Sequence, residues 1–215
     1  QDFATLEFYT GNYWATVNTF TEMQNSPSNR GRGFFMGGFG PSNPGRHLSI
    51  DYINIQTQGN ATNFGDLLST TVGTGNEGSM GCGNEIRGVI GGGNGPSGTA
   101  AYIQYITTAS EGNAINFGNL SQTRFRGSGL ASSTRGIFGA GRVPSSVNTV
   151  DYVEIMTLGN ALDFGDMSIT RVTDGSAFSN GVEAFVCGGA SPGTNQHYEI
   201  IKISSTGIQN SDEIF

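Results

Sequence analysis

The chain has 215 residues, 35 of them glycine, with 35% hydrophobic residues, only 13% charged residues and a net charge of −7. With 10 Lys plus Arg, it lacks the clustered positive charge that displaces counterions from phosphates, which counts against nucleic acid and anionic membrane surfaces as partners. No run of about 20 apolar residues is present to insert into a bilayer, and the glycines follow no three-residue period, which excludes collagen.

In chain order, Phe3–Tyr9 followed by Gly11-Asn12 reads as a worn copy of a strand and turn that return later in clearer form. Arg32-Gly-Phe-Phe-Met-Gly-Gly38 is a short apolar run ending in a glycine doublet, the pattern of a strand covered on both faces. A loop over Phe39–Leu48, with Pro, Ser, Asn and Gly, follows. Asp51-Tyr-Ile-Asn-Ile then alternates with period two, as a strand does. Gly59-Asn60 supplies the positive φ angles of a tight hairpin turn, and the strand after it carries an aromatic at Phe64. Ser69–Ile86, rich in Gly, Thr, Ser and Asn, reads as an extended loop, and a weaker fourth strand is expected just before the next Arg-Gly.

The same elements recur. Arg87-Gly-Val-Ile-Gly-Gly-Gly93 leads through the loop Asn94–Ala101 to Gln104-Tyr-Ile, Gly112-Asn113 and Phe117. Arg135-Gly-Ile-Phe-Gly-Ala-Gly141 leads through Arg142–Asn148 to Asp151-Tyr-Val, Gly159-Asn160 and Phe164. Glu183-Ala-Phe-Val-Cys-Gly-Gly189 opens a looser fourth unit with the loop Ala190–Gln196 and a last glycine at Gly207. The first anchors are spaced 55, 48 and 48; the glycines from Gly11 to Gly207 are spaced 48, 53, 47 and 48. Gly59 lies 28 residues before Arg87, against 23 from Gly112 to Arg135, so the extra residues fall within 69–86. Residues 1–215 therefore read as a single repeat domain with four short antiparallel strands per unit, which is the content of a propeller blade. The start at Gln1, with neither Met nor a signal-peptide pattern, suggests a processed chain or a piece of a longer one.

The glycine-terminated strand, the Tyr-bearing strand and the aromatic of the third strand resemble the kelch repeat. Two departures stand out: Phe replaces the usual Trp, and Gly139-Ala140-Gly141 breaks the doublet. The variant with Asp-Tyr-Ile-x-Ile and Gly-Asn-Ala-x-Asp-Phe-Gly-Asp resembles repeats carried by structural proteins of tailed bacteriophages, particularly aquatic ones. The resemblance implies an all-β, kelch-like β-propeller of four-stranded antiparallel blades. About four to five blades are visible; a closed ring and a part of a larger ring both remain open, and an open stack of sheets is the alternative.

Chemistry is sparse. His47 and His197 fall in the same loop of the first and fourth units, but no Cys or carboxylate accompanies both, as a metal site would need. Asp51, Asp66, Asp151 and Asp166 recur once per strand instead of clustering as calcium ligands do, which points to a structural job such as capping a turn or meeting the repeated Arg. Arg32, Arg87 and Arg135 read as donors from one blade to the next. Cys82 and Cys187 lie in different units, Cys187 in the slot held by Gly91 and Gly139, and read as thiols. No Lys-Ser/Thr follows Gly91-Gly-Gly93, so it is not a phosphate loop. The expectation is no catalytic, cofactor or metal residue and no enzyme. What is expected is a virion component of a tail, fibre or surface appendage, extracellular, presenting the four variable loops to another virion protein or a host surface glycan, with homo-oligomers within an assembly allowed. The alternatives are a secreted bacterial carbohydrate-binding propeller and, further off, an enzyme on a kelch scaffold.

Overall fold

The computed structural model describes residues 6–9, 14–17, 31–40, 45–68, 76–190, 197–204 and 211–213. They form strands and turns without a helix. β1 (Leu6–Tyr9) and β2 (Trp14–Val17) make an antiparallel hairpin. Sheet I is β3 (Arg32–Met36), β4 (Ser49–Asn54) and β5 (Thr62–Asp66). Sheet II contains β6 (Met80–Gly83), β7 (Arg87–Gly91), β10 (Tyr102–Thr107) and β11 (Ile115–Asn119), with the small ribbon β8 (Asn94–Gly95) and β9 (Gly98–Thr99) on its β7–β10 loop. Sheet III contains β12 (Ser128–Ala131), β13 (Arg135–Gly139), β15 (Ser145–Glu154) and β16 (Leu162–Arg171), with β14 (Arg142–Val143) folded onto the start of β15. Sheet IV is β17 (Ala177–Ser179), β18 (Glu183–Cys187), β19 (His197–Lys202) and β20 (Ser211–Glu213).

Each sheet is an antiparallel meander, and three apolar layers join the sheets in chain order. Ile50, Phe64 and Leu67 of sheet I pack on Ile90, Ile106 and Ala114 of sheet II. Val89, Ile103 and Phe117 of sheet II meet Phe138, Val153 and Ile155. Leu130, Ile137 and Phe164 of sheet III meet Ala184, Val186, Ile201 and Ile203 of sheet IV. A strand between two layers is apolar on both faces, which is why β7 and β13 read as continuous apolar runs and are buried from their second residue onward. Phe64, Phe117 and Phe164 are core residues, and Tyr52, Tyr105 and Tyr152 each set a ring edge-on against the Phe of their own sheet. The outward face of sheet I leaves Phe35 59% and Ile55 67% exposed, and Phe178 of sheet IV is 61% exposed. The described residues thus form a series of stacked sheets and close no ring; sheet I has three strands among them, not four.

Three sequence expectations are revised. The fourth strand exists before Arg87, Arg135 and Glu183, as β6, β12 and β17, but it pairs with the strand that follows and so opens the next sheet. β6 itself lies inside Ser69–Ile86, so that stretch is not all loop; residues 69–75 of it lie outside the described residues. Gly-Asn does not form the hairpin turn. The turn is closed two residues before the Gly, by Thr57, Ser110 and Thr157 N–H donating to the carbonyls of Asn54, Thr107 and Glu154. Gly-Asn-Ala instead docks on the preceding sheet. Gly112 and Ala114 N–H donate to the carbonyls of Phe64 and Asp66, and Gly159 and Ala161 N–H to those of Phe117 and Asn119. Asn113 and Asn160 return an acceptor to the N–H of Asp66 and Asn119, at 2.9 and 3.0 Å. This explains the Gly of Phe-Gly-Asp: a Cβ at Gly65 or Gly118 would overlap the carbonyl of Gly112 or Gly159.

The glycine doublet has a backbone cause. Its first member is left-handed in every unit, at φ 67° for Gly37 and Gly92 and 63° for Gly188, and its second lies at 106–122°. Ala140 adopts the first conformation at φ 59°, a tolerable strain of about 1–2 kcal/mol. The second is open only to glycine, and Gly141 keeps it. The doublet can therefore be broken at its first position alone.

Candidate functional site

By topology, the β3–β4, β7–β10, β13–β15 and β18–β19 connections all leave the same ends of their sheets. These are the four variable loops of the sequence; residues 41–44 and 191–196 of them lie outside the described residues. A second layer supports them, formed by the linkers between sheets. Gly38 N–H donates to Asn76 O, Gly93 to Arg124 O and Gly141 to Arg171 O. The linkers also bond to one another: Arg126 N–H donates to Gly78 O, and Asp174 N–H to Arg126 O. These three residues are left-handed, at φ 64°, 60° and 48°. The two that are not glycine pair their side chains, Arg126 Nε and Nη2 meeting Asp174 at 2.6 and 2.7 Å.

The loop surface carries arginine and phenylalanine. Arg46 lies over Phe39, and Arg142 over Phe125, each 5.8 Å from the ring centroid. Glu77 gathers Arg46 (2.7 Å) and Asn94 (3.2 Å) across units. Burial raises its carboxyl, but the hydrogen bonds and the Arg46 charge outweigh burial and hold it below the usual carboxylate range. Such a surface offers flat apolar faces beside fixed donors and acceptors.

The repeated polar residues hold the stack together. Arg32, Arg87 and Arg135 each stack on a tyrosine of their own sheet, 4.5–4.7 Å from the centroid of Tyr52, Tyr105 or Tyr152. Each then donates from Nη1 to a carbonyl of the next sheet: Thr108, Ile155 and Ile203, at 2.7, 3.0 and 3.2 Å. They are the sheet-to-sheet donors expected from the sequence. The Asp51 position behaves differently. Asp151 is met by Arg124 of the preceding linker at 3.0 Å, not by a repeated Arg, and accepts from Ser121 N–H and Oγ at 2.9 Å. Glu199 repeats the arrangement with Arg171 at 2.9 Å and with Ser168. Both ion pairs have side chains at 0% exposure, and burial pulls the Arg124 guanidinium down from its usual range against the opposing pull of Asp151. In the first joint Gln104 takes the acid's place and accepts from Leu68 N–H at 2.7 Å.

Arg124 and Arg171 escaped notice in the sequence. The available signal was their place seven residues after Phe117 and Phe164. Asp66 and Asp166 bring no metal ligands together, and among the described residues no group of three or more His, Cys, Asp or Glu could hold an ion. His197 begins β19 and matches Ser49 by its backbone bond to Gly188, so it is not in the loop position of His47. Cys82 and Cys187 are thiols, and Cys187 does occupy the Gly91 and Gly139 slot, as its pairing with Tyr198 shows. Burial pushes the Cys82 thiol up to about 12. No family model and no curated protein matches the chain.

Proposed function

We propose that the chain is a kelch-like β-propeller, or a large part of one, that serves as a non-enzymatic component of a virion. Its place is a tail, fibre or other surface appendage, and its loop surface contacts a neighbouring virion protein or a host surface glycan. The observation that carries this reading is the division of labour among polar residues. Those that recur from unit to unit bond sheet to sheet, as Arg32, Arg87 and Arg135 do. The residues that vary lie on the loops, where a rigid scaffold leaves binding groups free to diversify. Four-stranded meanders in series, each with a Tyr and Phe pair, support the kelch-like part.

Immunogold electron microscopy of the virus particles whose genome encodes the chain tests the assignment. Gold on a tail or fibre is expected, with Phe39→Ala and Arg142→Ala weakening adsorption to host cells. Label confined to particle-free supernatant would refute it. A class average of the purified full-length protein with sheets around no common axis would refute the propeller.

A further inference from the structure

The repeat separates what the scaffold requires from what one unit has changed. The β4–β5 turn is built like its counterparts in sheets II and III, yet its side chains differ. Where sheet III exposes Met156, Leu158 and Leu162, sheet I has Gln56, Gln58 and Thr62. Gly31 stands where sister sheets have Ile86, Thr134 and Val182, each of which accepts the same backbone hydrogen bond. The result is a cavity of about 290 Å³ in sheet I, lined by these residues with Arg32, Tyr52 and Asn60. That is near the lower end of ligand pockets, about 300 Å³, and suits one sugar ring better than a long chain.

Among the described residues two groups there lack partners that their sheet III counterparts have. Arg135 in sheet III gives Nε to the carboxylate of Glu154 at 2.8 Å. In sheet I that place is held by Asn54, whose Oδ1 accepts Gln56 N–H. Among the described residues Arg32 therefore has no carboxylate, although its guanidinium is held over the Tyr52 ring and by Thr108 O. Asn113 and Asn160 are occupied by a preceding sheet, whereas Asn60 makes no hydrogen bond to any described residue. Tyr52 is fixed from the far end by its hydroxyl, which donates to Glu111 at 2.9 Å.

We propose that this cavity binds a carboxylate-bearing sugar. Arg32 pairs with the carboxylate, and Gln56, Gln58, Asn60 and Thr62, which donate and accept equally well, take the ring hydroxyls. The site is at the opposite end of the sheets from the variable loops and does not depend on the virion reading.

Calorimetric titration of the full chain with free glucuronate, a short oligouronide and neutral glucose tests it. Saturable uronate binding is expected, at least about tenfold tighter than glucose, the scale of one charge-assisted hydrogen bond. Equal affinity per ring for monomer and oligomer identifies a single-ring site; a gain in the oligomer identifies a surface polysaccharide as the source. Arg32→Gln should abolish binding. The triple variant Gln56→Met, Gln58→Leu, Thr62→Leu imports residues that sheet III already tolerates, so it should keep the parent melting temperature and still lose uronate. Val182→Ala, exposed on sheet IV away from the cavity, should change nothing. Uronate binding in the triple variant equal to the parent, equal affinity for glucose, or no uronate binding at about 10 mM would overturn the proposal.

Discussion

Asp151→Ala removes the carboxylate that neutralises Arg124 between sheets II and III, leaving a guanidinium at 0% exposure with the Phe138 carbonyl as the one remaining acceptor for its side chain among the described residues. Breaking a buried pair in this way costs about 3–5 kcal/mol. For a chain of this length each kcal/mol lowers the melting temperature by roughly 2–4 °C, so a fall of roughly 6–20 °C is expected by differential scanning calorimetry. Removing both charges should cost less than removing one. The first joint shows how: Gln104 accepts Leu68 N–H without a charge, and Asn76, whose carbonyl accepts Gly38 N–H as those of Arg124 and Arg171 accept Gly93 and Gly141, stands where the later joints have Arg. Asp151→Gln with Arg124→Asn copies that solution and should recover at least half of the loss. A fall below about 2 °C for Asp151→Ala would mean that the pair contributes far less than its burial implies. A double variant less stable than the single would show that the two residues are not coupled, and the joint would need another explanation.

Gly118→Ala places a methyl group on the Gly159 carbonyl and should cost about 1–3 kcal/mol in urea unfolding, whereas Gly81→Ala, with nothing within 4 Å, should be near neutral. Cys82, with its thiol pushed up to about 12, should resist alkylation at pH 8 in the folded protein and react only on unfolding. Glu77 is lower in the folded state than in the unfolded, so its contribution is present above the unfolded value and is lost as pH falls through the folded one. Glu77→Gln should therefore flatten the acid limb of stability below about pH 4 and leave the slope near neutrality unchanged.

The period, the Arg-Gly and Tyr strands and the sheet-to-sheet role of Arg87 could be read from the sequence because identical environments select identical residues. The Gly-Asn pair misled because its composition is that of a turn, while its conserved spacing serves a bond to another sheet that only the fold brings near. Arg124 and Arg171 were hidden for a different reason: one of three units does without the charge, so no residue type recurs at every step. The cavity around Arg32 is legible only by comparing units once the strand pairing fixes which positions correspond. Thr62 against Leu162 means little until both are seen opposite a tyrosine, Tyr52 and Tyr152.

The offset of one strand between sequence repeat and sheet has a mechanical consequence. Every repeat counted from its Arg-Gly ends inside the next sheet, through β6, β12 or β17, so neighbouring sheets are sewn by chain as well as by side chains. Cooperativity then passes only between neighbours, as in a one-dimensional lattice. Pulling on the ends should detach sheets one at a time, each giving a comparable length of chain. For a surface appendage, that is the behaviour of a shock absorber.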